Sequence, residues 1–239
     1  MKVLAFDIWA EYAHYKKIYA TTSALSYCLP TKTAMYGYVG AILGFEKSGN
    51  EYLKFFQDKN CLIGIQILKP IVMQRININL RATLGRMKST DNRKPTTMEF
   101  VYQPKYRIYF NHTNNDIHSQ LKKQLQNKDA VYTPTMGIAS LISNFEYFGE
   151  VDAELIQEPS KVVSIQSVIA KKYFISFDVE ALKEKFSEII EQSMYAIEMD
   201  LDRNVTERDD ILLERKAKTI DAFLTQYYQL SNGSNISLF

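Results

Sequence analysis

A chain of 239 residues, 46% hydrophobic and 23% charged, has the composition of a globular protein long enough to bury a real core. Its two cysteines, Cys28 and Cys61, lie far apart with no CxxC, which argues against a disulfide framework or a zinc site and fits a reducing cytoplasm. The start, Met1-Lys-Val-Leu-Ala-Phe-Asp, shows no charged leader before an apolar region, and no apolar run nears twenty residues, so neither a signal peptide nor a membrane span is expected.

The net charge of +2 hides an asymmetry. Residues 69–110 carry nine Lys or Arg against Asp91 and Glu99, whereas residues 178–221 carry thirteen acidic against seven basic residues. One part is suited to phosphates and the other is not.

Residues 3–12 read as a first strand leading into Tyr12-Ala13-His14-Tyr15-Lys16-Lys17. That cluster is either a strand end with solvated lysines or a set of phosphate and base contacts, since rings beside cations suit unpaired nucleic acid. In Ser26-Tyr27-Cys28-Leu29-Pro30-Thr31-Lys32-Thr33, Pro30 and Thr31 mark a helix start, with Thr31 or Thr33 as N-cap. Lys32 beside free helix N–H groups would make an anion site. Ala34, Gly37, Gly40, Ala41 and Gly44 give the helix a small-residue face, which predicts a close approach, most simply tight packing on a sheet.

After a short strand at 61–68 comes the element around which the rest is organised. In residues 74–84, Arg75, Asn77, Asn79, Arg81 and Thr83 alternate with Ile76, Ile78, Leu80, Ala82 and Leu84. Period-two alternation predicts a strand with one wet and one packed face. A return limb at 99–110, with Lys105 and Arg107, completes a long hairpin whose tip (85–98) holds Arg86, Lys88, Arg93 and Lys94. A charge run can be only a solvated face, but Arg and Asn in register along one face favour nucleic-acid contact.

Further on, 111–115 reads as a turn and 116–127 as a helix with Ile117, Leu121 and Leu125 on one side. Tyr132-Thr133-Pro134-Thr135-Met136-Gly137 echoes the Tyr27-to-Gly37 stretch and predicts a second strand-turn-helix unit. Residues 145–156 and 161–177 read as strands and 179–192 as an amphipathic helix. Asp209-Asp210 marks a turn, 211–220 fits strand or helix, and the tail 231–239 is expected to be loose. No linker divides the chain, so a single unit (1–239) with a protruding hairpin at 70–110 is expected, residues 145–239 forming a β-rich and helical C-terminal part.

No P-loop, GxGxxG, GxSxG or HExxH is present. His14, His112 and His118 lack metal-ligand spacing, and no cofactor is implied. His112 and His118 fall in polar segments and are expected to be exposed. His14 with Tyr12 or Lys16 could support metal-independent RNA cleavage, since attack by a 2′-hydroxyl needs only proton transfer and charge stabilisation. The same residue types position phosphate without any tuned pKa.

The blocks Tyr12–Lys17, Ser26 to Gly37, Ala41-Ile42-Leu43-Gly44 and Tyr132 to Gly137, spread over roughly the first 150 residues, resemble the fifth Cas family, the CRISPR-associated RAMP subunits of type I Cascade, most closely its type I-B branch. The resemblance implies an α+β fold with a ferredoxin-like (RRM-type) RAMP core and a β-hairpin thumb. It also implies a protein that holds the 5′ handle of the CRISPR RNA, touches the seventh-family backbone subunit and the eighth-family large subunit, and meets target DNA through the complex. RNA contacts are then expected from Tyr12, His14, Lys16, Lys17, Tyr27, Thr31 and Lys32, and from Arg75, Arg81, Arg86, Lys88, Lys105 and Arg107 of the hairpin. The type I-C branch processes precursor RNA with an adjoining Lys-His pair and a Tyr. Here no Lys-His dipeptide exists, and type I-B systems use a separate sixth-family nuclease, so a binder is favoured over an endoribonuclease.

Overall fold

The computed structural model describes residues 1–19, 24–57, 60–81, 93–159 and 161–239. Strand β1 (Lys2–Trp9) is followed by the short strands β2 (Tyr12–Ala13), β3 (Tyr15–Lys16) and β4 (Ser26–Tyr27), helix α1 (Lys32–Leu43) and β5 (Cys61–Ile67). A hairpin, β6 (Val72–Arg81) and β7 (Arg93–Tyr102), precedes β8 (Lys105–His112), α2 (Asn115–Asn127) and the long β9 (Asn144–Gln157). The C-terminal part adds β10 (Val163–Ile165), β11 (Ile169–Ala170), β12 (Phe174–Phe177), α3 (Val179–Glu184), β13 (Ile189–Met199), β14 (Val205–Glu214), β15 (Ile220–Leu224), β16 (Gln226–Leu230) and β17 (Asn235–Ile236).

The fold is α+β, with named strands paired antiparallel and few helices. Its main sheet runs β17-β16-β9-β1-β8-β5. Within it, β1, α1, β5, β8, α2 and β9 follow one another as strand-helix-strand-strand-helix-strand, and the four strands lie in the order β9-β1-β8-β5. Strand β1 is buried on both faces, which is why it reads as a nearly unbroken apolar run. Leu4, Phe6 and Ile8 face the main core, while Val3 and Ala5 face a smaller cluster with Tyr109, Leu230, Ile236 and Leu238.

Helix α1 starts where the sequence predicts. Thr31 is extended (φ −65°, ψ 156°) and its side chain accepts from Ala34 N, satisfying an otherwise orphan donor. Tyr36, Val39 and Ile42 share the main core with Tyr195, Ile197, Ile211 and Leu213 of the β13–β14 hairpin, so the acidic C-terminal third packs on this helix. In α2, Asn114 caps the start and Ile117, Leu121 and Leu125 are buried, as their spacing predicts.

Several expectations fail for local reasons. The small-residue face of α1 is closely approached only at its end: a Cβ on Gly44 would lie 2.7 Å from the Val131 side chain. One on Gly40 would make ordinary contact with Tyr52 at 3.7 Å, whereas one on Gly37 would meet nothing within 4 Å. Residues 131–142 form turns and a Thr135–Ile142 bridge rather than a helix. There Gly137 sits at φ +98° with the space for a Cβ filled by His14 O. Only glycine fits that contact. The expected helix at 179–192 stops after α3, because Phe186 turns to φ +50° and Ile189 and Ile190, β-branched, pair with Glu214 and Leu213. Asp209 and Asp210 lie inside β14, where Asp210 Oδ1 accepts from Met194 N, 3.1 Å away at a register shift. The tail is not loose. Phe239 exchanges backbone hydrogen bonds with Ile63 (3.0 and 3.1 Å), and Leu238 and Phe239 are buried.

Among the described residues no helix is long and apolar enough to cross a membrane, and no three His, Cys, Asp or Glu side chains gather as metal ligands.

Candidate nucleic-acid interface

The hairpin is shorter than its sequence limits suggest. β6 pairs with β7 from Val72–Tyr102 to Arg81–Arg93. Rungs Arg75–Glu99, Asn77–Thr97 and Asn79–Pro95 line one face, and Gln74–Phe100, Ile76–Met98 and Ile78–Thr96 line the other. Arg75, Asn77 and Asn79 are exposed; Met98 and Phe100 are buried. The alternation in the sequence is thus followed by the surface at 75–79, where Ile76 and Ile78 are half-buried, but not at Val72 and Leu80, which are exposed. Thr97 Oγ1 donates to Asn77 Oδ1 at 2.8 Å, fixing one amide edge outward. Arg81 is placed by its backbone, opposite Arg93 on the last described rung. Arg86 and Lys88 lie outside the described residues.

Lys105 and Arg107 do not belong to the hairpin. The chain breaks pairing at Gln103, which adopts φ +45°, and re-enters the main sheet as β8. Opposite Asp7 in register, Arg107 places Nε 2.7 Å from Oδ1 and Nη2 3.2 Å from Oδ2, and its guanidinium lies 3.3 Å over the Phe148 ring. Lys105 Nζ is 3.8 Å from Asp7 Oδ2 and 5.6 Å from the Trp9 ring centroid.

At the hairpin root the other predicted residues separate into surface and support. Tyr12, on β2, pairs with Tyr102 of β7 and packs its ring against Phe100 and Tyr102 at 5.8 and 5.4 Å. His14 is 3% exposed, with Nδ1 2.7 Å from Glu99 O. A carbonyl only accepts, so Nδ1 carries the proton; the ring is a bracket for β7, not a surface base. Lys16 is exposed, and Lys17 Nζ lies 5.8 Å from the Tyr27 ring. Tyr27 itself is buried, its hydroxyl 2.9 Å from Met194 O, and burial raises its pKa.

Glu99 is the residue that sequence reasoning passed over. Its N–H donates to Ala24 O (2.9 Å), its carbonyl O accepts a hydrogen bond from His14 Nδ1 (2.7 Å), Oε1 accepts from Ser26 N (3.3 Å), and Oε2 faces Arg75 Nε at 3.6 Å. Its only signal in the sequence is being one of two acids in a basic stretch, which gains meaning once the register sets it opposite Arg75.

The helix start is not an anion site. Lys32 is 2% exposed, with Nζ 2.7 Å from Glu198 Oε1, while the Tyr36 hydroxyl donates to Glu198 Oε2 at 2.9 Å. The Tyr195 hydroxyl donates to Pro30 O, and Cys28 N donates to Gln192 Oε1 at 3.1 Å. The acidic third therefore supplies the anion that the helix start needs, and Thr31 serves as cap. No local pattern links Lys32 to Glu198.

The other two histidines are also internal, against expectation. His112 Nδ1 accepts from Asn114 N (2.9 Å), so Nε2 carries the proton and donates to Phe55 O (2.6 Å), and burial lowers its pKa. His118 Nε2 is 3.0 Å from Glu150 Oε1. Neither cysteine is an activated thiol; burial pushes Cys61 up to about 12.

No family model matches the chain, and no curated relative does either. Among solved structures, the fold is similar to a CRISPR protein from Archaeoglobus fulgidus (TM-score 0.55, 12% identity, 99% of this chain and 98% of that one). It is also similar to a chain of a CRISPR RNA-guided surveillance complex (TM-score 0.53, 8% identity, 93% and 92%). At such identities the likeness is one of fold, and it spans nearly the whole of both chains.

Proposed function

We propose that the chain is a non-catalytic, RNA-binding subunit of a CRISPR RNA-guided effector complex. In the finer form of this reading it is a fifth-family Cas subunit of type I-B kind, acting in the cytoplasm. It holds the 5′ handle of the guide, sits beside the seventh-family backbone subunit and the eighth-family large subunit, and meets target DNA through the assembly. The strand-helix-strand-strand-helix-strand order supports a ferredoxin-like, RAMP-type core with β6–β7 as its thumb.

One observation carries the reading. The hairpin face bearing Arg75, Asn77 and Asn79 is open, while on the opposite face Met98 and Phe100, toward the root, are buried. Of the nine Lys or Arg in the stretch that contains it, 69–110, Lys105 and Arg107 lie in β8 beside Asp7. The other seven stand against Asp91 and Glu99, and so much like charge is unfavourable without a counter-ion. A phosphate backbone laid along this face supplies one. Lys16, exposed on the short strand β3 that follows Tyr12, and Lys17 beside it would add further phosphate contacts near the root.

Anisotropy titration of handle RNA at several salt concentrations tests this. Neutralising about four phosphates of a single strand gives a log–log slope near −3. A flat salt response would show that the hairpin is not an electrostatic grip.

A further inference from the structure

The hairpin leaves the main sheet after Leu68 and returns at Lys105, and the two ends meet: Leu68 N–H donates to Lys105 O at 2.9 Å. Against this root lies a cleft of about 610 Å³, lined by Trp9, Glu11, Lys69, Gln103, Lys105 and Asn144 among others. Trp9, the only tryptophan of the chain, is partly exposed there, with Lys105 and Asn144 as its register partners on either side. Nearby, the Arg107 guanidinium lies over Phe148, which is 54% exposed.

A tryptophan placed for packing alone would be enclosed by apolar neighbours. This one is flanked by an ammonium and an amide at the mouth of a polar cleft. An unpaired base needs a ring to stack on, amide or carboxylate groups at its edge and a cation for its phosphate. All three are present within one cleft. The Lys105 ammonium, 5.6 Å from the Trp9 centroid on a flexible stem, can yield the ring face to a base and turn to its phosphate.

We propose that this cleft takes one unpaired nucleobase of a single-stranded nucleic acid. The base stacks on Trp9, its edge faces Asn144, Gln103 and Glu11, and its phosphate meets Lys69 and Lys105. The Glu11 carboxylate, reached by Gln103 Nε2 at 3.4 Å, accepts hydrogen bonds only. A base edge with an exocyclic amine, as in cytosine, therefore suits it better than uracil, whose single N3–H lies between two carbonyl oxygens. The proposal rests on the hairpin being a nucleic-acid contact and extends that contact across its root.

The test uses the full chain and short oligo(C) and oligo(U) RNAs, following Trp9 fluorescence and anisotropy of labelled RNA together. We expect saturable quenching at the concentrations where anisotropy rises, with oligo(C) ahead of oligo(U). Trp9→Leu weakens binding about ten- to hundredfold, and Trp9→Phe restores most of it. Binding without quenching, or at unchanged affinity in Trp9→Leu, overturns the cleft and leaves the hairpin reading standing. No binding to any RNA overturns both. The wild-type quench needs no variant, so it decides the question even if Trp9→Leu misfolds.

Discussion

Lys32 Nζ and Glu198 Oε1 stand 2.7 Å apart across 166 residues of chain, tying the start of α1 to the acidic C-terminal hairpin. The ammonium is almost fully enclosed, and Tyr36 holds the second carboxylate oxygen. Removing one partner leaves a buried charge uncompensated. Lys32→Met is therefore expected to cost about 3–5 kcal/mol, read from urea unfolding. Lys32→Met with Glu198→Leu should recover much of that loss. RNA affinity of the folded double variant should equal that of wild type, because Lys32 faces inward.

Two glycines make opposite predictions. At Gly137, φ is +98° and a Cβ would meet His14 O, so Gly137→Ala should lower stability by about 1–3 kcal/mol or more. At Gly37, inside α1 with nothing within 4 Å, Gly37→Ala should raise it by about 1 kcal/mol. Melting curves of the two variants, side by side, check both signs.

Glu150 sets an acid limit. Its hydrogen bond to His118 comes first, with Lys122 and Lys2 alongside, and together they outweigh burial and hold its pKa near 2 instead of the usual 4.5. A carboxylate depressed on folding stabilises above its unfolded value and loses that contribution as pH falls toward the folded one. Stability should thus decline between about pH 5 and pH 2, and Glu150→Gln should flatten that decline. Urea midpoints measured across this range decide it.

Arg75 is 71% exposed on its side chain and stands 3.6 Å from Glu99, an ion pair of little weight for stability. Arg75→Ala should change the unfolding free energy by under about 1 kcal/mol. Yet it should weaken handle-RNA binding and reduce the salt slope by about 0.7. An unchanged slope would remove Arg75 from the interface.

His14 is enclosed and bonded through Nδ1 to a backbone carbonyl, a setting that disfavours proton transfer at a scissile phosphate. Repeat RNA incubated with the wild-type chain in EDTA should stay intact. Specific cuts that vanish in His14→Ala would restore the nuclease reading.

Much of the fold was legible because it is local. The α1 cap at Thr31, the apolar side of α2 and the alternation of β6 each follow from residues within a few positions of one another. What was illegible depends on distant partners. Ile189 and Ile190 fit a helix as well as a strand until Leu213 and Glu214 lie beside them. Asp209 and Asp210 look like a turn until Met194 needs an acceptor. For the candidate interface, the open face of the hairpin was readable from its period, but its length was not. Lys105 and Arg107 continue an aromatic, β-branched run, and only the break at Gln103 shows that the run belongs to another sheet. Glu198 holds Lys32 and Asp7 holds Arg107, two cations that a charge count treats as available.

Glu99 is bonded through its N–H, its carbonyl and both carboxylate oxygens, to Ala24, His14, Ser26 and Arg75, in the root half of β7. Mechanically it is a fulcrum. A load on the outer rungs would reach the rest of the molecule through these bonds, at His14, Ser26 and Ala24 in the segment that precedes α1.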